Sequence, residues 1–420
     1  MNSTYPTRRV VVTGMGVVSA NGCDLATFWQ NVRNGISGAK PITRFDTTGF
    51  ASLIGVEIQN FDASALIGVK KARRYDLSTR YGVCAAMLAA RDARLDMSKL
   101  DADRVGVVEA CSLGGIESVV NAYRDWLQKG TRKVSPFHLI NSYCGAGSGE
   151  IALELGCQGH ALTYSSGSAS GNDVVGYALN MIQTDEADVM VAGGTEAPLL
   201  LPLWCGFSTA GLLTKRNDDP QHSMRPFDKN RDGFLLAEGA GFLVLEELSH
   251  ALGRGARIYA EVAAHGRSCE AFSSVAEHPE GVGVYRAMEK ALRRAQLLPA
   301  EIDYINAHGT ATEANDKIET LAIKRLFGNH AKRVAVSSTK PVTGHLLAAA
   351  GAVETIICTL GLHHQEIPPT INLTEPIEGC DLDYVPHTAR PFPLRAVMNL
   401  NVGFGGKNAA LILKQYSQAR

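Results

Sequence analysis

Val10-Val11-Val12-Thr13-Gly14 is a short β-branched run that stops at a glycine, and Ala260-Glu261-Val262-Ala263-Ala264-His265-Gly266 repeats the device much later in the chain. A brief, continuous apolar run bounded by a turn signal reads as a strand buried on both faces. These two openings predict strands over 9–12 and 259–264. Working outward, runs of the same kind fall at 104–109, 189–192, 241–246, 304–307, 334–337 and 409–413. Between them the apolar spacing is helical over 25–34, 76–93, 147–155, 172–183, 284–295, 313–327 and 346–360. Alternation of strand and helix predicts an α/β architecture with sheets covered on both faces. The paired openings predict an internal duplication, with halves at 1–255 and 256–420. Glycines group at 14 and 16, at 193 and 194, and at 403, 405 and 406, which predicts sharp turns where backbone approaches backbone or ligand.

Composition narrows the function classes. The 420 residues are 45% hydrophobic and 20% charged, with 41 Lys+Arg against 42 Asp+Glu. A net charge of −1 gives no general attraction to nucleic acid or to an anionic membrane, and so much apolar content excludes disorder for most of the chain. Apolar runs fall short of the roughly 20 residues a membrane span needs. No signal peptide is visible in Met1–Arg9, so a cytoplasmic address is expected. The nine cysteines form no CxxC pair and read as reduced thiols, with no metal site expected.

Four stretches carry chemistry-bearing residues. Gly167-Ser168-Ala169-Ser170-Gly171 joins the β-rich Ala161-Leu162-Thr163-Tyr164 to the helix at 172–183. A hydroxyl at such a turn faces a positive helix end and backbone N–H groups that hold an anion. A Ser/Gly-rich helix start is also an ordinary N-cap, and the residues alone leave both readings open. Ala307-His308-Gly309-Thr310 and Ser337-Ser338-Thr339-Lys340-Pro341-Val342-Thr343-Gly344-His345 each place a histidine at a strand exit. Two imidazole donors converging on one carbonyl would stabilise an enolate, although taken singly each reads more readily as a structural histidine. Asn401-Val402-Gly403-Phe404-Gly405-Gly406 sets a bulky ring between glycines, suited to a gate or to a plugged turn.

Taken together these stretches resemble the β-ketoacyl-[acyl carrier protein] synthases of the chain-elongating type. The resemblance runs from Val11-Val12-Thr13-Gly14-Met15-Gly16 through Asp188–Glu196, Arg225–Phe234, Ala307–Thr310, Asn315–Glu319, Ser338-Thr339-Lys340 and Gly344-His345-Leu346 to Gly403–Gly406, in the family's order. It implies the thiolase-like five-layer αβαβα fold, with two pseudo-duplicated halves and central helices between two sheets. It implies catalytic positions at Ser168, His308 and His345. Supporting positions are implied at Lys340, Glu354, Phe234 and Phe404, and substrate contacts at Thr310, Thr343 and Gly405. Phe234 would flank the substrate carboxylate, and Phe404 would gate the site.

The chain departs from the family at one decisive place: Ser168 stands where elongating synthases carry a nucleophilic cysteine. A hydroxyl is far less ionised than a thiol, whose ordinary pKa is about 8.5, and no base adjoins Ser168 in sequence. Acyl loading is therefore expected to be poor. Decarboxylation needs no nucleophile, only donors on the thioester oxygen and an apolar place for the departing carboxylate. This pattern is similar to the Cys-to-Ser branch that decarboxylates malonyl-acyl carrier protein in polyketide β-branching cassettes and supplies acetyl-carrier protein to a hydroxymethylglutaryl-type synthase. Open alternatives are a condensing synthase whose cysteine was replaced in nature or by engineering, a non-catalytic chain-length partner subunit, and a serine acyltransferase.

The implied partner is a malonyl-loaded acyl carrier protein. Its phosphopantetheine is the only cofactor expected. Lys70, Lys71, Arg73 and Arg74 are the densest basic run and the expected docking rim, though a solvated helix face explains them equally. The family also implies a homodimer, with residues 161–165 near the two-fold and apolar side chains of 141–155 and Met181 in the interface.

Overall fold

The computed structural model describes residues 8–417, so the reading of the N-terminal leader lies largely outside the described residues. Leaving aside short connecting elements, the first half runs β1 (Val10–Val18), α1 (Leu77–Asp92), β2 (Val105–Ala110), α2 (Ala146–Leu155), β3 (Ala161–Tyr164), α3 (Ser170–Gln183), β4 (Val189–Glu196) and β5 (Gly239–Glu247). The second half repeats that order: β6 (Ala260–Cys269), α4 (Val282–Ala295), β7 (Tyr304–Asn306), α5 (Asn315–Phe327), β8 (Ala335–Ser337), α6 (Ala350–His364), β9 (Ala396–Gly403) and β10 (Lys407–Lys414).

Pairing follows the same duplication. The strand order is β8-β7-β9-β10-β6-β1-β5-β4-β2-β3, which reads as a palindrome about the β6–β1 seam. In each half the outer three strands of the sheet are parallel, and the last strand in sequence returns antiparallel beside them. Even the irregularity repeats. Thr13 bulges from β1 opposite β5, and Ala263 bulges from β6 opposite β10.

Two sheets were expected, yet the hydrogen-bonded ladder is continuous. The seam is only two residue pairs wide, Val11 with Glu261 and Val12 with Ala260. Beyond it β1 and β6 diverge, each to its own antiparallel partner, leaving room between the halves for two helices. Helices α3 and α6 fill that space and touch strands of both halves. Helices α1 and α2 cover the outer face of the first half, and α4 covers that of the second with α5 packed beside it. The five layers are thus present.

The glycine-marked turns at 14, 16, 193 and 194 are not turns. β1 runs straight through Gly14 and Gly16, and β4 through Gly193 and Gly194. The underlying inference of close backbone approach stands: a Cβ at Gly14 would lie 2.5 Å from the Ala89 carbonyl oxygen, so the bare strand lets α1 settle on it. Gly266 does the same for α4, where a side chain would overlap the Ala287 carbonyl.

Among the described elements of eight residues or more, three are absent from the sequence reading: β9 and the helices Ile116–Lys129 and Leu201–Thr209. Met181, expected at a subunit interface, is buried in the core. Leu347–His364 is apolar and long enough by composition to cross a membrane, but in this fold it is the central helical segment, 83% buried.

Candidate functional site

The site sits at the carboxyl ends of the parallel strands, where loops from both halves converge. Ser168 lies on the turn from β3 into α3. The pseudo-equivalent connection in the second half, from β8 into α6, carries Lys340 and His345. Two glycines bring these turns together. Gly171 and Gly351 each hold the second position of a central helix, and a Cβ on Gly351 would lie 2.6 Å from the Asn172 backbone nitrogen.

Ser168 Oγ lies 3.0 Å from His345 Nε2. The His308 and His345 rings are 5.3 Å apart at 83°, and Phe234 and His345 form a T-shaped pair at 5.1 Å. His308, His345 and Phe234 are buried. Burial, with the nearby Lys340 ammonium, holds both imidazoles well below the ordinary value of 6.5; for His308 the neighbouring His345 adds to the effect. Both rings are therefore neutral near pH 7, each with one N–H to give.

A buried frame holds the rings. Lys340 Nζ reaches Glu354 Oε1 at 2.5 Å, and Asn401 Nδ2 donates to Glu354 Oε2 at 2.7 Å. The same amide lies 3.5 Å from His308 Nδ1, which favours the tautomer with the proton on Nε2. Glu319 accepts the backbone N–H groups of His308 and Gly309 at 2.6 and 2.8 Å, and burial pushes its carboxyl up to about 7. The backbone of His345 is held from both sides by Leu235 and Ala237.

Phe404 is about half exposed at the β9 exit. A Cβ on Gly403 would lie 3.1 Å from the Ser168 nitrogen and one on Gly167 3.7 Å from the Phe404 nitrogen, so these two backbone N–H groups are neighbours. Gly405 has φ +79° and donates to the Ser274 carbonyl. Thr310 pairs with Thr312 at 2.9 Å. Thr343 is buried, and its hydroxyl donates to the Gly344 carbonyl at 3.0 Å.

Asn401 and Glu319 lie within the sequence motifs, and their partners become visible only in the fold. Asn401 had a legible signal: in Ala396-Val397-Met398-Asn399-Leu400-Asn401-Val402 two polar residues alternate inside an apolar strand, so both point to one face. The basic run is partly neutralised from within the chain. Lys71 pairs with Glu154 and Arg74 with Glu150, while Lys70 and Arg73 stay exposed. Among the described residues no group of three or more His, Cys, Asp or Glu side chains is arranged to hold a metal ion.

The chain matches known proteins over most of its length. Residues 7–251 match the beta-ketoacyl synthase N-terminal domain and residues 259–374 the C-terminal domain. The chain is 42% identical over 409 residues to a 3-oxoacyl-[acyl-carrier-protein] synthase 2 of Synechocystis sp., covering 97% of this chain and 98% of that protein. Among solved structures, the ishigamide ketosynthase/chain length factor superposes with a TM-score of 0.92 at 37% identity, covering 98% of this chain and all of the other. A type II polyketide acyl-carrier protein in complex with its ketosynthase bound to the hexaketide gives 0.89 at 32%, covering 98% and 100%. With both domains matched in order across most of its length, the chain belongs to the beta-ketoacyl synthase family.

Proposed function

We propose that the protein decarboxylates malonyl-acyl carrier protein to acetyl-acyl carrier protein, acting in the cytoplasm as part of polyketide β-branching and feeding a hydroxymethylglutaryl-type synthase. The observation that carries this reading is the buried, neutral His308–His345 pair retained around a serine at the nucleophile position. The Cα–carboxylate bond of the malonyl group breaks, CO2 leaves beside Phe234, and the electron pair moves onto the thioester oxygen as an enolate. His308 and His345 donate to that oxygen where the charge develops. A proton from water then reaches carbon, so the net change consumes one proton and releases CO2. Lys340, Glu354 and Asn401 hold the rings, and Phe404 gates the phosphopantetheine arm.

The carrier protein docks beside Lys70 and Arg73. The protein pairs with a second copy through the β3 edge and the exposed apolar side chains Tyr123, Trp126, Leu127, Leu139, Ile140 and Tyr143. A solved relative described as a ketosynthase with its chain length factor supports pairing of this kind.

One observation favours a second reading. The sequence shows no base beside Ser168, but the fold puts His345 Nε2 3.0 Å from its hydroxyl, the geometry of an activated nucleophile. Intact-mass measurement of malonyl-carrier protein after incubation with the purified protein separates the two. The proposal expects acetyl-carrier protein and no acyl adduct on the enzyme. An accumulating acyl ester on Ser168 with little CO2 release would favour acyl transfer.

A further inference from the structure

Beneath Ser168 lies a buried polar chain that none of the roles above uses. Ser166 Oγ donates to Asp173 Oδ2 at 2.6 Å, and the other carboxylate oxygen, Oδ1, lies 3.0 Å from His265 Nε2, an electrostatic contact whose alignment falls short of a hydrogen bond. All three side chains are buried; His265 is 3% exposed and Asp173 6%. Their origins differ: Ser166 closes the β3 exit, Asp173 lies in the first turn of α3, and His265 stands on β6 in the other half. Space for the imidazole is built in, since a side chain at Gly176, one turn beyond Asp173, would overlap the His265 ring. The His265 backbone is fixed in turn by Arg294, whose guanidinium donates to its carbonyl at 2.7 Å.

The chain ends on the turn that carries Ser168. Ser166 N donates to Ser170 Oγ at 2.7 Å, and Ser170 Oγ donates to the Gly167 carbonyl at 2.6 Å. Gly167 takes φ +67°, so the turn has a conformation it must be held in. Gly403 presses on the same turn, where a Cβ would lie 2.7 Å from the Ser166 carbonyl oxygen.

We infer that Asp173 and His265 are positioning residues: together they lock the Ser166–Ser168 turn from across the two halves and thereby set the approach of Ser168 to His345. The carboxylate gains both a hydroxyl donor and the favourable helix N-terminal field, and the imidazole packed against its second oxygen limits where it can turn. This deepens the reading of Ser168 as part of the site, and its test reads the turn itself rather than the reaction.

The test uses the full-length Ser168→Cys protein, with iodoacetamide alkylation of the introduced thiol followed by peptide mass spectrometry. The exposed Cys144, Cys205 and Cys269 serve as internal references in the same digest. Adding Asp173→Asn or His265→Ala is expected to lower the alkylation rate at position 168 at least threefold, with the reference cysteines unchanged. His265→Gln, which keeps a donor, is expected to restore much of the rate. Asp173→Asn is nearly isosteric, so it decides the matter even where Asp173→Ala fails to fold. An unchanged rate at position 168 in both Asp173→Asn and His265→Ala overturns the inference, including where the melting temperature falls, because the pair is then structural only.

Discussion

Gly171 and Gly351 meet backbone to backbone where the two central helices begin. A Cβ on Gly171 would overlap Ala352 N and lie 2.7 Å from Gly351 Cα. Because Ser168 and His345 sit just before these helices, the glycine contact sets their separation of 3.0 Å. Gly171→Ala is expected to cost about 1–3 kcal/mol by overpacking and to lower activity more than a surface variant of equal stability. Chemical denaturation paired with a decarboxylation assay checks this; full activity in a folded Gly171→Ala protein would refute it.

Lys340 and Glu354 form a fully buried pair, with Asn401 completing the carboxylate's partners. Removing one member strands a charge, so Lys340→Ala is expected to destabilise by about 3–5 kcal/mol. Lys340→Met combined with Glu354→Leu is expected to fold better than either single change, yet to stay impaired because the histidine frame is lost. Urea midpoints for the single and double variants give the comparison.

The two neutral histidines make a pH prediction. The unfolded chain takes up protons on these rings as pH falls through 6.5, while the folded chain refuses them until well below that value. Their contribution to stability is therefore full above pH 6.5 and is lost progressively on acidification. Decarboxylation should stay level through pH 6.5 and fall only at lower pH. A rate profile with a midpoint at 6.5 would contradict neutral, buried rings.

Glu109 predicts the opposite slope. It is buried on β2 against Gly82 and Gly147, and burial pushes its carboxyl up to about 8 from 4.5. The folded chain holds a proton that the unfolded chain releases between those values. Its contribution to stability is therefore full below pH 4.5 and lost as pH rises to about 8. Glu109→Gln should raise the melting temperature relative to the parent by a few degrees at pH 8.5 and hardly at all at pH 5. Thermal scans at the two pH values decide it.

The sequence was legible where its pattern was strong. Val10–Val12 and the run from Ala260 marked β1 and β6, and the order of motifs placed Ser168, His308, His345, Lys340 and Glu354 in one site. It was illegible where composition misleads. Gly14 and Gly16 read as a turn because a glycine's use in letting a helix lie on a strand leaves no local trace. β9 was missed because Asn399 and Asn401 interrupt its apolar run, although both are buried and bonded. The partnership of Asp173 with His265 joins residues 92 positions apart and no spacing rule reveals it.

The central claim is that the histidine pair, not Ser168, performs the chemistry. The most direct measurement is the rate of acetyl-carrier protein formation from malonyl-carrier protein by the parent, His308→Ala, His345→Ala and Ser168→Ala proteins, followed by intact mass. Each histidine variant is expected to lose about 10²–10³ in rate, the cost of removing one oxyanion donor, while Ser168→Ala keeps a substantial fraction. Loss of activity in Ser168→Ala as deep as in the histidine variants, with an acyl ester trapped on Ser168 in the parent, would contradict the account.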